Sequence, residues 1–279
     1  SGYWKIPLRE EDKEKTAFSI AGNLRQWKVL PQGLKSPPAV FTHLLDIVLS
    51  GIKWHFVLVY IDDVIIFSKS FNEHLDHLDK VFKRLRKANL VLSLKKCQFA
   101  FTKLKYLGHV AGREGLEPDE DKVKAISDFP QPRTVRNVRE FLGMVGYYRR
   151  FLKDFSKIAS PMLRLLKQNG FRRPIVERWD EDCTGSFEEL KNRMKRAPIL
   201  AFPDFRRPFV LYTDASDYGL GAILSQKQAD GLERVIAYAS RTLHDSEVRI
   251  LTVTEKECLA VVWAMQKFRP YLYGQKFTL

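Results

Sequence analysis

Two adjacent carboxylates, Asp62 and Asp63, interrupt a strongly apolar stretch of the sequence, WHFVLVYIDDVIIF at residues 54–67. Each apolar half is typical of a buried strand, and the two-residue break at Asp62-Asp63 predicts a hairpin turn. Like charges repel and burial disfavours ionised groups, so a buried pair of this kind needs a cation, for which a divalent metal is the obvious candidate. The alternative is a solvated Asp-Asp turn without a role.

A second set of acidic residues lies near the C-terminal end of the sequence. The segments FVLYTDAS, YGLGAILSQ and RVIAYASR predict three antiparallel strands, and FTL begins a fourth after a helix. Asp214 lies at the end of the first strand, and Glu257 lies in the first turns of the helix, which Thr252 and Glu255 begin with a capping box. The alternatives are a strand-end turn residue for Asp214 and a favourable helix-dipole charge for Glu257.

Helices and loops surround the Asp-Asp hairpin in the sequence. Three prolines and Gly33 mark a loop that leads into a helix near residues 39–49, and such a loop can present backbone N–H groups to a phosphate. Residues 70–90 predict an amphipathic helix that begins with a Ser70–Glu73 capping box. We interpret His74 and His77 on this helix as partly exposed residues, because no third metal ligand lies near them. The apolar face of the helix is expected to contain Leu75, Leu78, Phe82, Leu85 and Ala88.

The middle of the sequence predicts short strands followed by helices. Residues 92–112 are typical of two short strands, and residues 117–119 begin a helix that ends near Phe129-Pro130. Thr134 is expected to cap a helix that continues to about Phe151, and one further helix is expected over residues 185–196. Five arginines of this region either contact phosphates or form a solvated face: Arg133, Arg136, Arg139, Arg149 and Arg150.

The composition indicates a globular, basic chain. Hydrophobic residues make up 45% of the 279 residues, which is ample for packed cores, and the net charge is +14. The basic excess is largest in residues 1–110, around the Asp-Asp hairpin, which suits a polyanion together with a metal. The three cysteines have no metal-ligand spacing and are expected to be free thiols in a reducing compartment. No apolar run is long enough to predict a membrane span, and no signal peptide is present.

Several motifs resemble those of gypsy-type LTR retrotransposon pol polyproteins, which carry a reverse transcriptase and a ribonuclease H-like domain. The motifs are YIDD, LPQGLKSPPAVF, YLGH, FLGMVGYYRRFL and YTDASDYGLGAILSQ. The resemblance implies an α+β, multidomain fold with a polymerase palm and part of the fingers in residues 1–112. It implies a mainly helical thumb and connection in residues 113–178, and a C-terminally truncated ribonuclease H-like α/β domain in residues 179–279.

The resemblance also implies roles for individual residues. Gypsy-type elements usually have Phe where Gln32 stands, so the second palm motif matches a retroviral pattern at that position. Tyr3 would exclude the 2′-hydroxyl of a ribonucleotide, and the alternative interpretation is an ordinary core aromatic. Lys95 and Lys96 resemble the Lys of the fourth palm motif, and the alternative interpretation is a solvated basic pair. The implied sets are Asp62, Asp63, Asp214 and Glu257 as catalytic metal ligands, Tyr3, Gln32, Gly33 and Lys96 as nucleotide-binding residues, and Tyr106, Leu107 and Gly108 as the primer grip. Each active site would hold two Mg²⁺ ions, with Mn²⁺ as an alternative.

The implied activity is RNA-directed DNA polymerisation coupled to ribonuclease H cleavage. The implied partners are an RNA template, a DNA primer, an RNA–DNA hybrid and dNTPs, without a membrane. The location is expected to be cytoplasmic, in a virus-like particle, with the nucleus as an alternative. One palm Asp would lie three residues before Ser1, and two ribonuclease H acids would lie beyond Leu279. We therefore expect a fragment that is inactive alone.

Two other classes of function stay open from the sequence. A non-catalytic nucleic-acid-binding remnant of a transposable element would keep the basic charge and the grooves, so binding alone does not separate it from an enzyme. A structural interaction protein, the weaker alternative, predicts no salt-sensitive binding of RNA–DNA hybrid.

Overall fold

A computed structural model describes residues 2–167 and 174–279, apart from the side chain of Lys167. The chain divides into two compact units, Ser1–Phe101 and Thr102–Leu279, and each unit has a hydrophobic core of its own. Helices and several separate, mostly antiparallel sheets make up both units. This architecture confirms the predicted α+β, multidomain class. None of the helices in the described ranges is long and apolar enough to cross a membrane.

The first unit packs its helices against a β-hairpin. Its strands are β1 (Phe18–Ile20), β2 (Asn23–Arg25), β3 (Val57–Tyr60) and β4 (Asp63–Ile66), in the antiparallel pairs β1–β2 and β3–β4. Its helices are α1 (Glu10–Lys13), α2 (Pro37–Val48) and α3 (Phe71–Lys87), with 3-10 helices at Gly2–Lys5, Glu14–Thr16 and Leu94–Lys96. The core lies between α2, α3 and the β3–β4 hairpin, and its buried residues are Phe41, Leu45, Leu49, Ile52, Val57, Val81 and Leu85.

The β3–β4 hairpin forms as predicted, but its details differ. The turn is Ile61-Asp62, and Asp63 is already the first residue of β4, paired with Tyr60. Only one face of the hairpin packs on the core, because side chains alternate along a strand. The turn and both carboxylates are exposed. The buried setting expected for Asp62 and Asp63 is therefore wrong, since they lie where the hairpin leaves the core.

Helix α3 begins at the predicted cap. Ser70 Oγ accepts a hydrogen bond from the backbone N–H of Glu73 (3.3 Å), and the Glu73 carboxylate accepts from the N–H of Lys69 (2.7 Å). The buried face is also shifted from the predicted one. Val81 and Leu85 are buried, but Leu75 is 50% exposed.

The two histidines of α3 make contacts that hold the helix to the end of the hairpin. The His77 ring stacks on Phe56 with 3.7 Å between ring centroids, and its Nδ1 lies 2.8 Å from Ser68 Oγ. His74 Nδ1 lies 3.2 Å from the same hydroxyl. These packing contacts are consistent with the interpretation of both residues as structural.

The second unit begins with a three-stranded sheet and continues with helices. The sheet has the antiparallel order β5 (Lys103–Tyr106), β6 (His109–Gly112), β7 (Gly115–Pro118). The helices are α4 (Glu120–Ser127), α5 (Val135–Tyr147), α6 (Phe155–Lys167), α7 (Ile175–Arg178) and α8 (Glu181–Lys195), with a 3-10 helix at Arg149–Phe151. Strands β5 and β6 are the two short strands predicted within residues 92–112, while β7 was not predicted.

Helix starts in this region follow from side-chain caps. Asp119 accepts a hydrogen bond from the N–H of Asp121 (3.0 Å) at the start of α4, and Thr134 caps α5 as predicted. Helix α5 ends at Tyr147, one turn before the predicted end, because the chain continues as a 3-10 helix. The predicted start of α8 at residue 185 is wrong, since Asp180 accepts from the N–H of Cys183 (2.8 Å) and the helix begins at Glu181. Residues 168–173, within the predicted thumb and connection, lie outside the described residues.

The C-terminal part of the second unit confirms the predicted order of three strands, a helix and a fourth strand. Its strands are β8 (Phe209–Ala215), β9 (Gly219–Lys227), β10 (Glu233–Thr242) and β11 (Phe277–Thr278), and its helices are α9 (Asp245–Ile250), α10 (Val253–Lys267) and α11 (Arg269–Leu272). The sheet order is β10-β9-β8-β11, with β11 parallel to β8. The predicted capping box at the start of α10 is present, since Thr252 Oγ1 accepts from the N–H of Glu255 and the Glu255 carboxylate accepts from the N–H of Thr252.

The core of helices α5, α6 and α8 extends to the neighbouring sheet. Val235 and Tyr238 of β10 pack against this helical core. Buried hydroxyls of Ser156 and Ser240 also meet here, 3.1 Å apart, and Ser240 Oγ accepts from the N–H of Ser156 (2.9 Å). The helices and the sheet are therefore parts of one compact unit, and the division at residues 178 and 179 stays a prediction. All three cysteines are free thiols, as predicted.

Candidate functional site

The Asp62-Asp63 pair lies at the exposed tip of the β3–β4 hairpin. Ile61, the first turn residue, has a φ of 55°, a left-handed conformation that is strained for a β-branched side chain. Neither carboxylate takes part in a hydrogen bond or an ion pair within the described ranges. Their oxygens are therefore open to a cation, and hard oxygen donors are the ligands that Mg²⁺ and similar ions prefer.

Tyr3 packs at the edge of the first core. Its ring meets Phe41 edge to face, with 5.5 Å between the centroids, and the side chain is half-buried. A Cβ added to the preceding residue, Gly2, would lie 2.5 Å from Phe41 Cζ, so the Phe41 ring leaves no room for a side chain at Gly2. The core contact agrees with the interpretation of Tyr3 as a core aromatic, while its role beside a nucleotide stays a prediction.

The loop before α2 presents the other predicted nucleotide-binding residues. Pro31 and Pro37 are buried and anchor the loop, whereas Gln32 and Gly33 between them are exposed. Gly33 has a φ of 93°, a backbone conformation that favours glycine. Lys96, at the end of a 3-10 helix, is exposed and forms no ion pair with any described residue. Gln32, Gly33 and Lys96 are therefore all accessible to a ligand.

The predicted primer grip is the tight turn between β5 and β6. Tyr106 pairs with His109, and the two residues between them, Leu107 and Gly108, have φ values of 48° and 69°. Positive φ at both central residues is the geometry of a type I′ hairpin turn, whose twist matches that of the strands. The structure therefore brings the three predicted residues together in one hairpin.

Two tyrosines at the end of α5 hold this turn, and the sequence did not single them out for this role. The Tyr147 hydroxyl donates to the carbonyl of Leu107 (2.5 Å), and the Tyr148 hydroxyl donates to the carbonyl of Gly108 (2.6 Å). Burial, with smaller effects from Tyr147 and Asp119, raises the pKa of Tyr148 to about 12, so this hydroxyl keeps its proton at neutral pH. The signal that could have found them is the Tyr-Tyr pair itself, two polar aromatic tips at the end of an apolar helix.

Asp214 lies beside a small cavity of about 50 Å³ in the second unit. Asp214 of β8 lies opposite Gly221 of β9, and Gly221 lies opposite Ser240 of β10, so the three residues share one face of the sheet. Ser240 is hydrogen-bonded to Ser156 at the start of α6, which therefore lies on the same face. The cavity wall also includes Asp154, Ser156, Lys157, Ser216, Gly219, Leu220 and Arg241. Asp154, which comes from the loop before α6, is a second carboxylate at this cavity that the sequence did not indicate.

Glu257 lies on α10, which packs on the other face of the same sheet. It is exposed, whereas Glu255 is engaged in the helix cap, as predicted. The neighbouring Lys256 is buried, and its Nζ donates to Asp217 Oδ1 (2.9 Å), which ties the first turns of α10 to the turn after β8. Glu257 and Asp214 therefore approach the same end of β8 from opposite faces.

Metal binding by these carboxylates stays a prediction. Within residues 2–167 and 174–279, no group of three or more His, Cys, Asp or Glu side chains is arranged to hold a metal ion. The β3–β4 hairpin offers two of the expected acids on adjacent residues, Asp62 and Asp63, whereas Asp214 and Glu257 lie on opposite faces of the sheet. Carboxylate oxygens fit a hard divalent cation, and Asp62 with Asp63 would supply part of a coordination shell.

Comparison with known proteins identifies both ends of the chain. Residues 1–111 match the family model described as reverse transcriptase (RNA-dependent DNA polymerase), and residues 179–279 match an RNase H-like domain found in reverse transcriptase. Over 98% of its length the chain is 40% identical to the retrovirus-related Pol polyprotein from transposon opus of Drosophila melanogaster, and it covers 28% of that protein. Over 99% of its length it is 41% identical to the polyprotein from transposon gypsy of the same organism, and it covers 27% of that protein.

Solved structures show the same similarity. A foamy viral protease-reverse transcriptase in complex with dsDNA matches 99% of this chain with a TM-score of 0.88 and 28% identity, and the chain covers 56% of it. The same viral protein in complex with an RNA/DNA hybrid matches with a TM-score of 0.84, and the chain covers 37% of it. The chain spans about a quarter of the length of the curated transposon relatives. Residues 1–111 thus belong to the reverse transcriptase family and residues 179–279 to its RNase H-like domains, in the order found in gypsy-type retrotransposon Pol polyproteins.

Proposed function

We propose that this chain is the polymerase and ribonuclease H part of a retrotransposon reverse transcriptase. As part of the longer protein it would add deoxynucleotides to a primer 3′-hydroxyl on an RNA template and cleave the RNA of the resulting hybrid, whereas residues 1–279 alone are expected to be inactive. The observation that carries the proposal is the Asp62-Asp63 pair, two exposed carboxylates at a strained hairpin tip without a protein partner among the described residues. The matches to reverse transcriptase and RNase H-like families at the two ends support it.

Reverse transcriptase and RNase H-like domains are metal-dependent, and we propose Mg²⁺ as the metal, with Mn²⁺ as a substitute. Asp62 and Asp63 would hold it in the polymerase. In the ribonuclease the predicted ligands are Asp214 and Glu257, which lie on opposite faces of the sheet in this structure. The chemistry that a divalent ion would supply at these residues is activation of an attacking oxygen and stabilisation of the leaving oxygen in phosphoryl transfer. The protein side chains supply the oxygen ligands, and their exposure leaves room for the ion and for a phosphate.

The remaining residues of the proposal bind the nucleotide and the nucleic acid. Exposed Gln32 and Gly33 contact the incoming dNTP and the template. Tyr3 borders the sugar of the dNTP, and Lys96 contacts the phosphates of the dNTP. The RNA–DNA hybrid is bound mainly through its backbone charge, which suits a chain of net charge +14. The solved relatives in complex with dsDNA and RNA/DNA hybrid support this class of ligand. We also propose a cytoplasmic virus-like particle as the location.

The first test is binding of an RNA–DNA hybrid by residues 1–279 as a function of salt. We expect affinity that falls steeply with salt concentration, because lysine and arginine displace counterions from the phosphates. Fluorescence anisotropy with a labelled hybrid measures it. Salt-independent binding, or none, would contradict the proposal and favour a structural interaction protein.

The second test separates an enzyme from a non-catalytic remnant. Mg²⁺-dependent primer extension on an RNA template is measured for residues 1–279 and for a longer protein that includes the residues encoded before them. We expect extension only by the longer protein, because the resemblance assigns one more palm Asp to that segment. Asp62→Asn should abolish the extension, whereas Asp76→Asn, an exposed aspartate on α3, should leave it unchanged. Hybrid binding without extension by either protein would favour the remnant.

A further inference from the structure

The β5–β6 turn is held from one side by a pair of hydroxyl groups. Tyr147 and Tyr148, consecutive residues at the end of α5, donate to the carbonyls of Leu107 and Gly108, which are consecutive residues of the turn. The N–H of Asp119 donates to the Gly108 carbonyl as well (3.2 Å). Both carbonyls at the tip of the turn are therefore occupied by the protein itself.

This arrangement fixes the direction of one N–H group. None of the peptide bonds in the described ranges is cis, so the N–H of Gly108 points opposite to the carbonyl of Leu107 across their shared peptide plane. Since that carbonyl points to the Tyr147 hydroxyl, the Gly108 N–H points away from α5. It donates no hydrogen bond within the described part of the chain.

Close packing leaves the turn little freedom to rotate. A Cβ added to Gly108 would lie 3.3 Å from the Tyr148 hydroxyl and 3.4 Å from Tyr147 Cε1, so the tyrosines lie directly against the glycine backbone. His109 is packed against both tyrosine rings, with centroid distances of 5.3 and 5.4 Å, and its Nδ1 lies 2.8 Å from the Leu107 carbonyl. The Leu107–Gly108 and Gly108–His109 peptide planes are thus each held by a tyrosine hydroxyl from outside the turn.

We propose that Tyr147 and Tyr148 are positioning residues that aim the Gly108 N–H at a phosphodiester oxygen of the primer strand. The proposal rests on the polymerase function above and adds the residues that set the register of the primer. Backbone N–H groups that contact phosphates fix the position of a protein on a nucleic acid without reading its sequence. The tyrosines themselves need not touch the primer, because they act through the turn.

The test compares hybrids whose primer strand carries a single neutral methylphosphonate at successive linkages near its recessed 3′ end. For residues 1–279 we expect one linkage at which the substitution weakens binding by about tenfold, the size expected for one hydrogen bond to a charged group. The methylphosphonate ratio is the dissociation constant of the substituted hybrid divided by that of the unsubstituted hybrid. In the Tyr147→Phe, Tyr148→Phe double variant this ratio should fall to about one. Affinity for the substituted hybrid should be the same in both proteins, because the remaining contacts do not change.

Two further variants separate positioning from folding. Tyr147 is 54% exposed, so Tyr147→Phe alone should keep the thermal stability of the chain and still reduce the methylphosphonate ratio. Tyr238→Phe changes a half-buried tyrosine of β10 outside the turn and should leave the ratio at its wild-type value.

The outcomes distinguish this proposal from the polymerase function. A wild-type ratio that persists in the double variant, or no sensitive linkage in the wild type, would overturn the role of the tyrosines while hybrid binding stands. Loss of hybrid binding in the wild-type chain itself would overturn both.

Discussion

His109 is a histidine that the structure keeps neutral. Its Nδ1 faces the Leu107 carbonyl, and its Nε2 is buried without a hydrogen-bond partner among the described residues. Burial lowers the pKa of His109, the hydrogen bond with the Leu107 carbonyl opposes this effect, and the nearby Arg150 adds a smaller lowering. The neutral ring donates from Nδ1, and protonation of Nε2 would place a charge among the rings of Tyr147, Tyr148 and Phe151.

A pH dependence of stability follows for this residue. The pKa of His109 is lower in the folded state than the ordinary histidine value of about 6.5. At pH values below about 6.5 the unfolded chain therefore binds more protons at His109 than the folded chain does. The free energy of unfolding should therefore fall as the pH drops from about 6.5 toward the folded pKa, and the contribution should be constant above that window. Urea unfolding at a series of pH values, for wild type and His109→Phe, measures the difference. A difference between the two proteins that does not change with pH would contradict this.

At the level of single residues, the sequence predicted the acids but not their surroundings. Asp62, Asp63, Asp214 and Glu257 stand out because carboxylates beside apolar strands or at helix starts are chemically unusual. Their exposure depends on which strand face meets the core, and this is decided by contacts with distant helices. The tyrosine hydroxyls reach carbonyls 40 residues earlier in the chain, and no local pattern encodes such a pairing.

Among the elements, β7 depends on a glycine at its first position. Gly115 has a φ of 145°, and a Cβ there would lie 2.1 Å from the carbonyl oxygen of Leu200. The next residue, Leu116, exchanges two backbone hydrogen bonds with Leu200, at 2.8 and 2.9 Å. The bridge between β7 and the segment before β8 therefore needs the close approach that only glycine permits.

Gly115→Ala should lower the free energy of unfolding by about 2–4 kcal/mol, because it strains the backbone and separates this bridge. Gly143→Ala is the matched control in the same unit. Gly143 lies on α5 with open space where its Cβ would be, so alanine there should stabilise the chain by about 0.5–1 kcal/mol. Urea unfolding measures both variants, and equal stabilities would rule out this role for Gly115.

Helix α10 depends on its capping box. Thr252→Ala removes the hydroxyl that accepts from the Glu255 N–H and should cost about 1 kcal/mol of stability. Thr254→Ala, an exposed threonine two residues later, should change stability by less than about 0.5 kcal/mol. Thermal unfolding of the two variants in parallel provides the comparison. A loss for Thr252→Ala no larger than that for Thr254→Ala would mean that the cap does not control this helix start.

Elements with local signals were predictable, and those fixed by distant contacts were not. The helix starts at Ser70, Thr134 and Thr252 follow from side chains that reach N–H groups three residues away. Strand β7 has few apolar residues and exists because β6 and Leu200 pair with it, so its sequence alone gave no strand signal. The start of α8 was predicted too late, because the Asp180 side chain caps the helix five residues before the predicted start at residue 185.

For the molecule as a whole, the second unit joins helices and sheet through one continuous core. Phe141 of α5 is fully buried and packs against Phe129 and Phe187, with ring centroids 5.6 and 4.5 Å away. The same core reaches β10, where Ser240 binds Ser156 and the guanidinium of Arg149 donates to the Ser240 carbonyl. We therefore expect residues 102–279 to unfold as one cooperative unit, and not as separate thumb and ribonuclease H-like domains.

Phe141→Ala tests this cooperativity, since a cavity in the helical core should cost about 3–5 kcal/mol. If the unit is cooperative, hydrogen exchange followed by mass spectrometry should show faster exchange in α5 and also in β9 and β10. The free energy of opening should fall by the same amount in all three elements. Phe205→Ala, at a phenylalanine that is 49% exposed, is the matched control and should change exchange in the helices far less. Loss of protection confined to α5, α6 and α8 would mean that the sheet is stable without them. The helical core and the sheet would then be independent, and the buried Ser156–Ser240 contact would connect them without coupling their stability.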